Sequence, residues 1–271
     1  MKLWGALLVT TFACGPSARD HAHDAAAIAA DAVTDAPVTI TAAPDATPAG
    51  PVDVVITADN AYSFGYGDVN GITHFTQGTR ALTAAEIFSC PIGVGPEEYT
   101  VPAADAPADA YLYIASWDDH EVTQGLIAQF SRNTGTVTTG SAPFDVCATG
   151  IDYATGSDDL TGPTQDIINQ QIAMCNAGSG DPSTTSVGWV NATGASTPGA
   201  IGTLAVGPPN DSSDAIFQIV CQPTATSNGI GSDARWLWYD PSGLGSGAFY
   251  SNGTNFTKSF LIFRLAAATI F

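Results

Sequence analysis

The pattern of apolar and polar positions changes character near Pro51. Beyond it, short runs of Val, Ile, Tyr, Phe and Thr are separated by Gly, Asp, Asn and Pro, the signature of half-buried strands joined by turns. The runs predict strands over 53–58, 98–101, 110–117, 125–131, 136–139, 186–191, 215–222, 235–239 and 259–265. Trp236 and Trp238 stand two apart in one run, so they share a face, with Leu237 and Tyr239 on the other. Two helical interruptions are expected. One covers 82–88; the other, over 161–175, has Pro163 near its start and apolar residues at 167, 168, 172 and 175 on one side. The expectation is an all-β antiparallel sandwich over 52–271, with one or two short helices laid against it.

Before Pro51 the pattern is different. Residues 3–13 form an apolar run after Lys2, too short to cross a bilayer and suited to a secretory signal peptide over 1–13. Residues 14–51 collapse to Ala, Asp, Pro, Thr and Ser, without an aromatic side chain. Such a segment buries too little surface to offset the entropy of ordering, so it reads as a disordered tether.

Composition narrows the function classes. The 271 residues hold 26 acidic side chains against 7 Lys and Arg, a formal net charge of −19. Binding nucleic acid by phosphate neutralisation needs a basic face, so that class is excluded. Glycine and proline, 28 and 17 residues, fit a turn-rich β protein better than a helical bundle.

Five cysteines are present. Setting Cys14 aside leaves four, an even number suited to two disulfides in an oxidising compartment. Cys147 with Cys175 closes the shortest loop and is entropically the easiest pair to join, which leaves Cys90 with Cys221. No pair has the C-x-x-C spacing of a zinc ribbon or a redox motif.

Two resemblances add to this reading. Cys14-Gly15-Pro16-Ser17 follows the apolar run and resembles the lipobox of bacterial lipoproteins. That likeness implies lipidation at Cys14, contact with a membrane through the anchor, and a place on the bacterial outer membrane, periplasmic or at the cell surface. The second resemblance is to the galactose-binding-like jelly roll. It is carried by Thr57-Ala58-Asp59-Asn60-Ala61-Tyr62 with the Asn70-Gly71 turn, by Ala110-Tyr111-Leu112-Tyr113-Ile114-Ala115-Ser116-Trp117-Asp118-Asp119, by Gly125-Leu126-Ile127-Ala128-Gln129-Phe130, and by Ala234-Arg235-Trp236-Leu237-Trp238-Tyr239. It implies a domain that binds carbohydrate or glycan through loops around Trp117 to Asp119 and Asp59 to Asn70.

The residues proposed for that ligand are Asp59, Asn60, Tyr62, Asn70, Trp117, Asp118 and Asp119. A sugar offers a C–H face to a flat aromatic and hydroxyls to carboxylates and amides, and Trp117 beside two Asp supplies both. Calcium is the ion that such oxygen-rich turns suit, with Asp118 and Asp119 as its ligands. Signatures of catalysis are thin: no G-x-S-x-G, H-E-x-x-H or Walker loop occurs. The sequence therefore favours a non-catalytic binding module. The alternatives are an envelope or adhesion protein that meets protein partners, and a hydrolase acting on extracellular polysaccharide.

Overall fold

Thirteen strands and two helices follow in order in the computed structural model. It describes residues 50–270, apart from 79, 91–95, 118–121, 134, 152–161, 179–185, 213, 226 and 251–259. The expected signal peptide, Cys14, most of the expected tether, Asp118 and Asp119 lie outside the described residues. The elements are β1 (Val52–Asp59), β2 (Ala61–Asp68), β3 (Gly71–Thr76), α1 (Ala84–Phe88), β4 (Glu97–Val101), β5 (Tyr111–Trp117), β6 (Gly125–Arg132), β7 (Gly135–Thr138) and β8 (Asp145–Ala148). Then come α2 (Gln165–Ala177), β9 (Val190–Asn191), β10 (Gly194–Ala195), β11 (Thr203–Pro209), β12 (Arg235–Asp240) and β13 (Leu261–Ala266).

The strands form two antiparallel sheets, as the alternation predicts. One runs β11-β12-β6-β1-β4, with β7 also paired to β6; the other runs β10-β9-β8-β13-β5-β2-β3. In β1, Val52, Val54, Ile56 and Ala58 face inward, where they meet Phe64, Leu112, Phe130, Trp238 and Phe263 in the main core between the sheets. Trp236 and Trp238 both point into that core and are 1% and 0% exposed. Removing so much aromatic and branched surface from water is the main favourable term in folding.

A second, smaller core lies on the far side of the second sheet. Helix α2 lays Ile168, Ile172 and Cys175 against Ile72, Tyr113, Trp189 and Ile262, the amphipathic arrangement its spacing predicts. The helix starts later than expected, because Thr164 accepts a hydrogen bond from the Ile167 N–H at 3.4 Å and caps it. The disulfide Cys147–Cys175 ties it to β8, and Cys90–Cys221 ties the chain after α1 to a distant loop. Both pairings are those expected from loop length.

One expected strand is absent. Over 215–222 the chain is apolar enough to pair, yet its backbone groups are bonded elsewhere. Asp214 Oδ1 accepts from the N–H groups of Ile216 and Phe217 at 2.7 and 2.8 Å. The Asn210 carboxamide accepts from Val220 N–H and donates to Val220 C=O, at 2.7 and 3.2 Å. Side chains that take up backbone groups compete directly with a ladder. The run over 186–191 contracts to the two residues of β9, whereas β2, β3, β8, β10 and β11 are strands that the run-by-run reading does not contain.

Candidate functional site

The turn from β1 into β2 brings some of the expected site residues together. Asp59 ends β1, Asn60 makes the turn, and Ala61 pairs with Trp117 at the end of β5. Asp59, Asn60, Tyr62 and Trp117 therefore share one end of the sandwich. Asn70 does not join them: it lies beyond the far end of β2, eight residues away at roughly 3.3 Å each. There Asp68 folds onto Asn70, accepting from its N–H at 2.7 Å and its side-chain amide at 3.4 Å.

The shared end is closed. Trp117, expected to present its ring to a sugar, is 2% exposed. Gly162 lies so close over it that a Cβ there would come within 2.2 Å of the indole Cη2. Tyr62 is also 2% exposed and turns inward, where its hydroxyl donates to Glu97 Oε2 at 2.5 Å and shares a 2.9 Å hydrogen bond with the Tyr99 hydroxyl. Burial first, then Tyr99 and Glu97, hold the Tyr62 hydroxyl well above the ordinary phenol range. Burial likewise pushes Tyr99 up to about 12, even though its bond with Tyr62 pulls the other way. This pair fastens β2 of one sheet to β4 of the other. Asp59 is 6% exposed and accepts from Thr123 Oγ1 at 2.5 Å.

The other described tryptophans are equally buried. Trp189 donates its indole N–H to Asn176 Oδ1 at 2.7 Å, and the Arg264 guanidinium, paired with Asp145 at 2.9 Å, sits 4.0 Å from its ring centre. Asp240, after the tryptophan pair of β12, spends its carboxylate on four backbone N–H groups from Ser242 to Gly245. Among the described residues no group of three His, Cys, Asp or Glu side chains is placed to hold a metal ion.

A strand face away from that end stays open. On the outer side of the first sheet, β4, β1, β6 and β7 align two cross-strand rows: Thr100, Asp53, Ser131 and Thr136 in one, and Glu98, Val55, Gln129 and Thr138 in the other. Alternation requires this, since the same strands send Val54, Tyr99 and Phe130 inward. Asn228, on the irregular loop held by the Cys90–Cys221 disulfide, stands over these rows and closes a groove of about 200 Å³. Val55 supplies its apolar side chain; Val54 and Tyr99, whose side chains turn inward, border it, and the other side chains are carboxylate, hydroxyl and amide.

The groove side chains are held in place. Thr100 Oγ1 donates to Asp53 Oδ1 at 3.0 Å, and the Asn228 amide donates to Glu98 Oε1. Gly231 N–H donates to Gln129 Oε1 at 2.9 Å, and the hydroxyls of Ser131 and Thr136 lie 3.3 Å apart. Rigid strands and fixed partners give the low-entropy placement that polar recognition needs.

No family model, curated protein or solved structure matches this chain. The groove must therefore be read from its own chemistry. Sequence reasoning missed it because its members come from runs treated only as strands. The available signal was the outward alternation of Asp53, Glu98, Thr100, Gln129 and Ser131.

Proposed function

We propose that this chain is an exported, non-catalytic binding module that recognises carbohydrate or glycan. The ligand is met by hydrogen bonding on the outer face of the first sheet, and not by stacking on Trp117. One observation carries this reading: a groove on rigid strands lined by Asp53, Glu98, Thr100, Gln129, Ser131 and Asn228. Carboxylates and amides presented side by side match the closely spaced hydroxyls of a sugar, and Val55 in the lining suits its C–H face. The two disulfides support passage through an oxidising compartment. Lipidation at Cys14 would hold the domain at a bacterial outer membrane, and the galactose-binding-like resemblance is in keeping with a two-sheet antiparallel sandwich.

A glycan array probed with the full chain, with and without calcium, tests the reading. Binding should be retained by Asp118→Ala and lost in a Glu98→Ala, Gln129→Ala double variant. Silence on every glycan in both conditions would overturn it. Radiolabelled palmitate should label the chain and not Cys14→Ala; equal labelling removes the anchor.

A second reading rests on a different observation. All four tryptophans among the described residues, Trp117, Trp189, Trp236 and Trp238, are buried. Among the described residues no tryptophan is offered to a sugar face, which also suits an envelope or adhesion protein that contacts protein partners. Specific capture of a protein partner, lost in the same double variant while the array stays silent, would favour it.

A further inference from the structure

Among the described residues, two carboxylates in the groove have no counter-charge beside them. Asp53 and Glu98 lie on neighbouring strands at diagonal positions, since Asp53 pairs with Thr100 and Glu98 with Val55, a spacing at which charged side chains still feel each other. Each has one oxygen fixed by a neutral donor, Asp53 Oδ1 by Thr100 and Glu98 Oε1 by Asn228. The second oxygen of each has no partner among the described residues. Among the described residues, no Lys, Arg or His lines the groove. Three of the described arginines are engaged elsewhere: Arg132 donates to Ala106 C=O at 2.6 Å, Arg235 to Gly207 C=O at 2.9 Å, and Arg264 pairs with Asp145. The groove is thus a fixed negative site within a chain of net charge −19, and it repels uronates, sulfated sugars and phosphorylated ligands.

We propose that the groove takes a saccharide bearing a free amine, a hexosamine unit whose ammonium sits between Asp53 and Glu98. The inference rests on the carbohydrate reading above and specifies its ligand class. An ammonium offers three donors and no acceptor, which fits the two unpartnered carboxylate oxygens and relieves their mutual repulsion. The remaining valences fit a sugar's hydroxyls. Gln129 has its oxygen occupied by Gly231 and keeps its amide N–H groups for a hydroxyl oxygen; Asn228 has its amide on Glu98 and keeps its oxygen for a hydroxyl proton. An acetylated amine would lose the charge and place a methyl group against carboxylates. The volume, about 200 Å³, allows about one sugar unit in the groove, with neighbouring units of an oligomer outside it.

Isothermal titration of the full chain with glucosamine oligomers and their N-acetylated counterparts, at a pH that keeps the amine protonated, tests this. The free-amine oligomer should bind at least tenfold more tightly. The preference should shrink as ionic strength rises and vanish in an Asp53→Asn, Glu98→Gln variant whose circular dichroism spectrum is unchanged. Equal or tighter binding of the acetylated oligomer overturns the amine assignment and leaves the carbohydrate reading standing. Binding of neither, with lysine-rich peptide bound instead, overturns both and gives the groove to a protein partner. A preference that survives the double variant also overturns the assignment.

Discussion

The carboxamide of Asn169 pairs with both backbone groups of Ile72. Its Oδ1 accepts from the Ile72 N–H at 2.7 Å and its Nδ2 donates to the Ile72 C=O at 3.0 Å. Ile72 lies on β3, the outermost strand of the second sheet, so these groups face away from the ladder. One helix side chain thus occupies the place that another strand would take. Gln165 donates to the same carbonyl at 2.8 Å.

An uncovered edge is a template for pairing with another chain. Asn169→Leu should cost about 1–3 kcal/mol, the penalty for stranding buried backbone groups, and should promote self-association. Thermal unfolding and concentration-dependent gel filtration check the two effects. An unchanged melting temperature with a monomer at all concentrations would show that the pairing does not protect the edge.

Trp117 belongs to the residues first expected to bind and lies outside the proposed groove. As a core side chain under Gly162, its replacement by Ala should cost about 3–5 kcal/mol and leave the ligand affinity of the folded fraction unchanged. Gly162→Ala, which forces a methyl group against the indole, should destabilise by about 1–3 kcal/mol. Denaturant unfolding measures the stability changes. Loss of affinity in a Gly162→Ala protein that remains folded would return the site to Trp117.

Asp240 gives the protein an acid limit. Burial alone would raise its carboxyl, but the four N–H groups that it accepts hold it below its ordinary value of 3.8. A group depressed on folding contributes stability that is present above its unfolded value and lost as pH falls through the folded one. Asp240→Asn should therefore be less stable than the parent at pH 7, and the gap should narrow as pH falls below about 4. Melting temperatures of both proteins from pH 7 to pH 2 measure it; a gap independent of pH would remove the linkage.

The two disulfides should differ in their effect. Cys90–Cys221 closes 131 residues and Cys147–Cys175 closes 28, which on the chain-entropy account is worth about 5 and about 3.5 kcal/mol. Replacing Cys90 and Cys221 together by Ser should also weaken ligand binding, because the loop bearing Asn228 loses its tie. Replacing Cys147 and Cys175 should cost stability and spare affinity. Equal affinity in both variants would show that the groove does not depend on the loop anchor.

Much of the fold is legible in the residues. The two-residue alternation in 53–58 and 235–239 places Val54, Ile56, Trp236 and Trp238 in one layer, because a pleated strand sends alternate side chains to opposite faces. Loop length selects the cysteine pairs. The 161–175 stretch shows its apolar side, and helix α2 uses it. The missing strand has a local cause. Over 215–222 the apolar pattern is real, but Asp214 and Asn210, at the ends of that stretch or outside it, claim the backbone groups that a strand would need.

Local periodicity by itself determined that this chain makes two layers of strands with their apolar faces together, since it depends only on neighbours along the chain. Which rim residues remain available to another molecule was decided in three dimensions. Trp117 stands beside polar residues in sequence, yet Gly162 covers it from 45 residues away, while Asp53 and Glu98, equally unremarkable in their own runs, become neighbours when β4 pairs with β1. Exposure and charge pairing are set by contacts between distant segments, and they exist only once the sheets have closed.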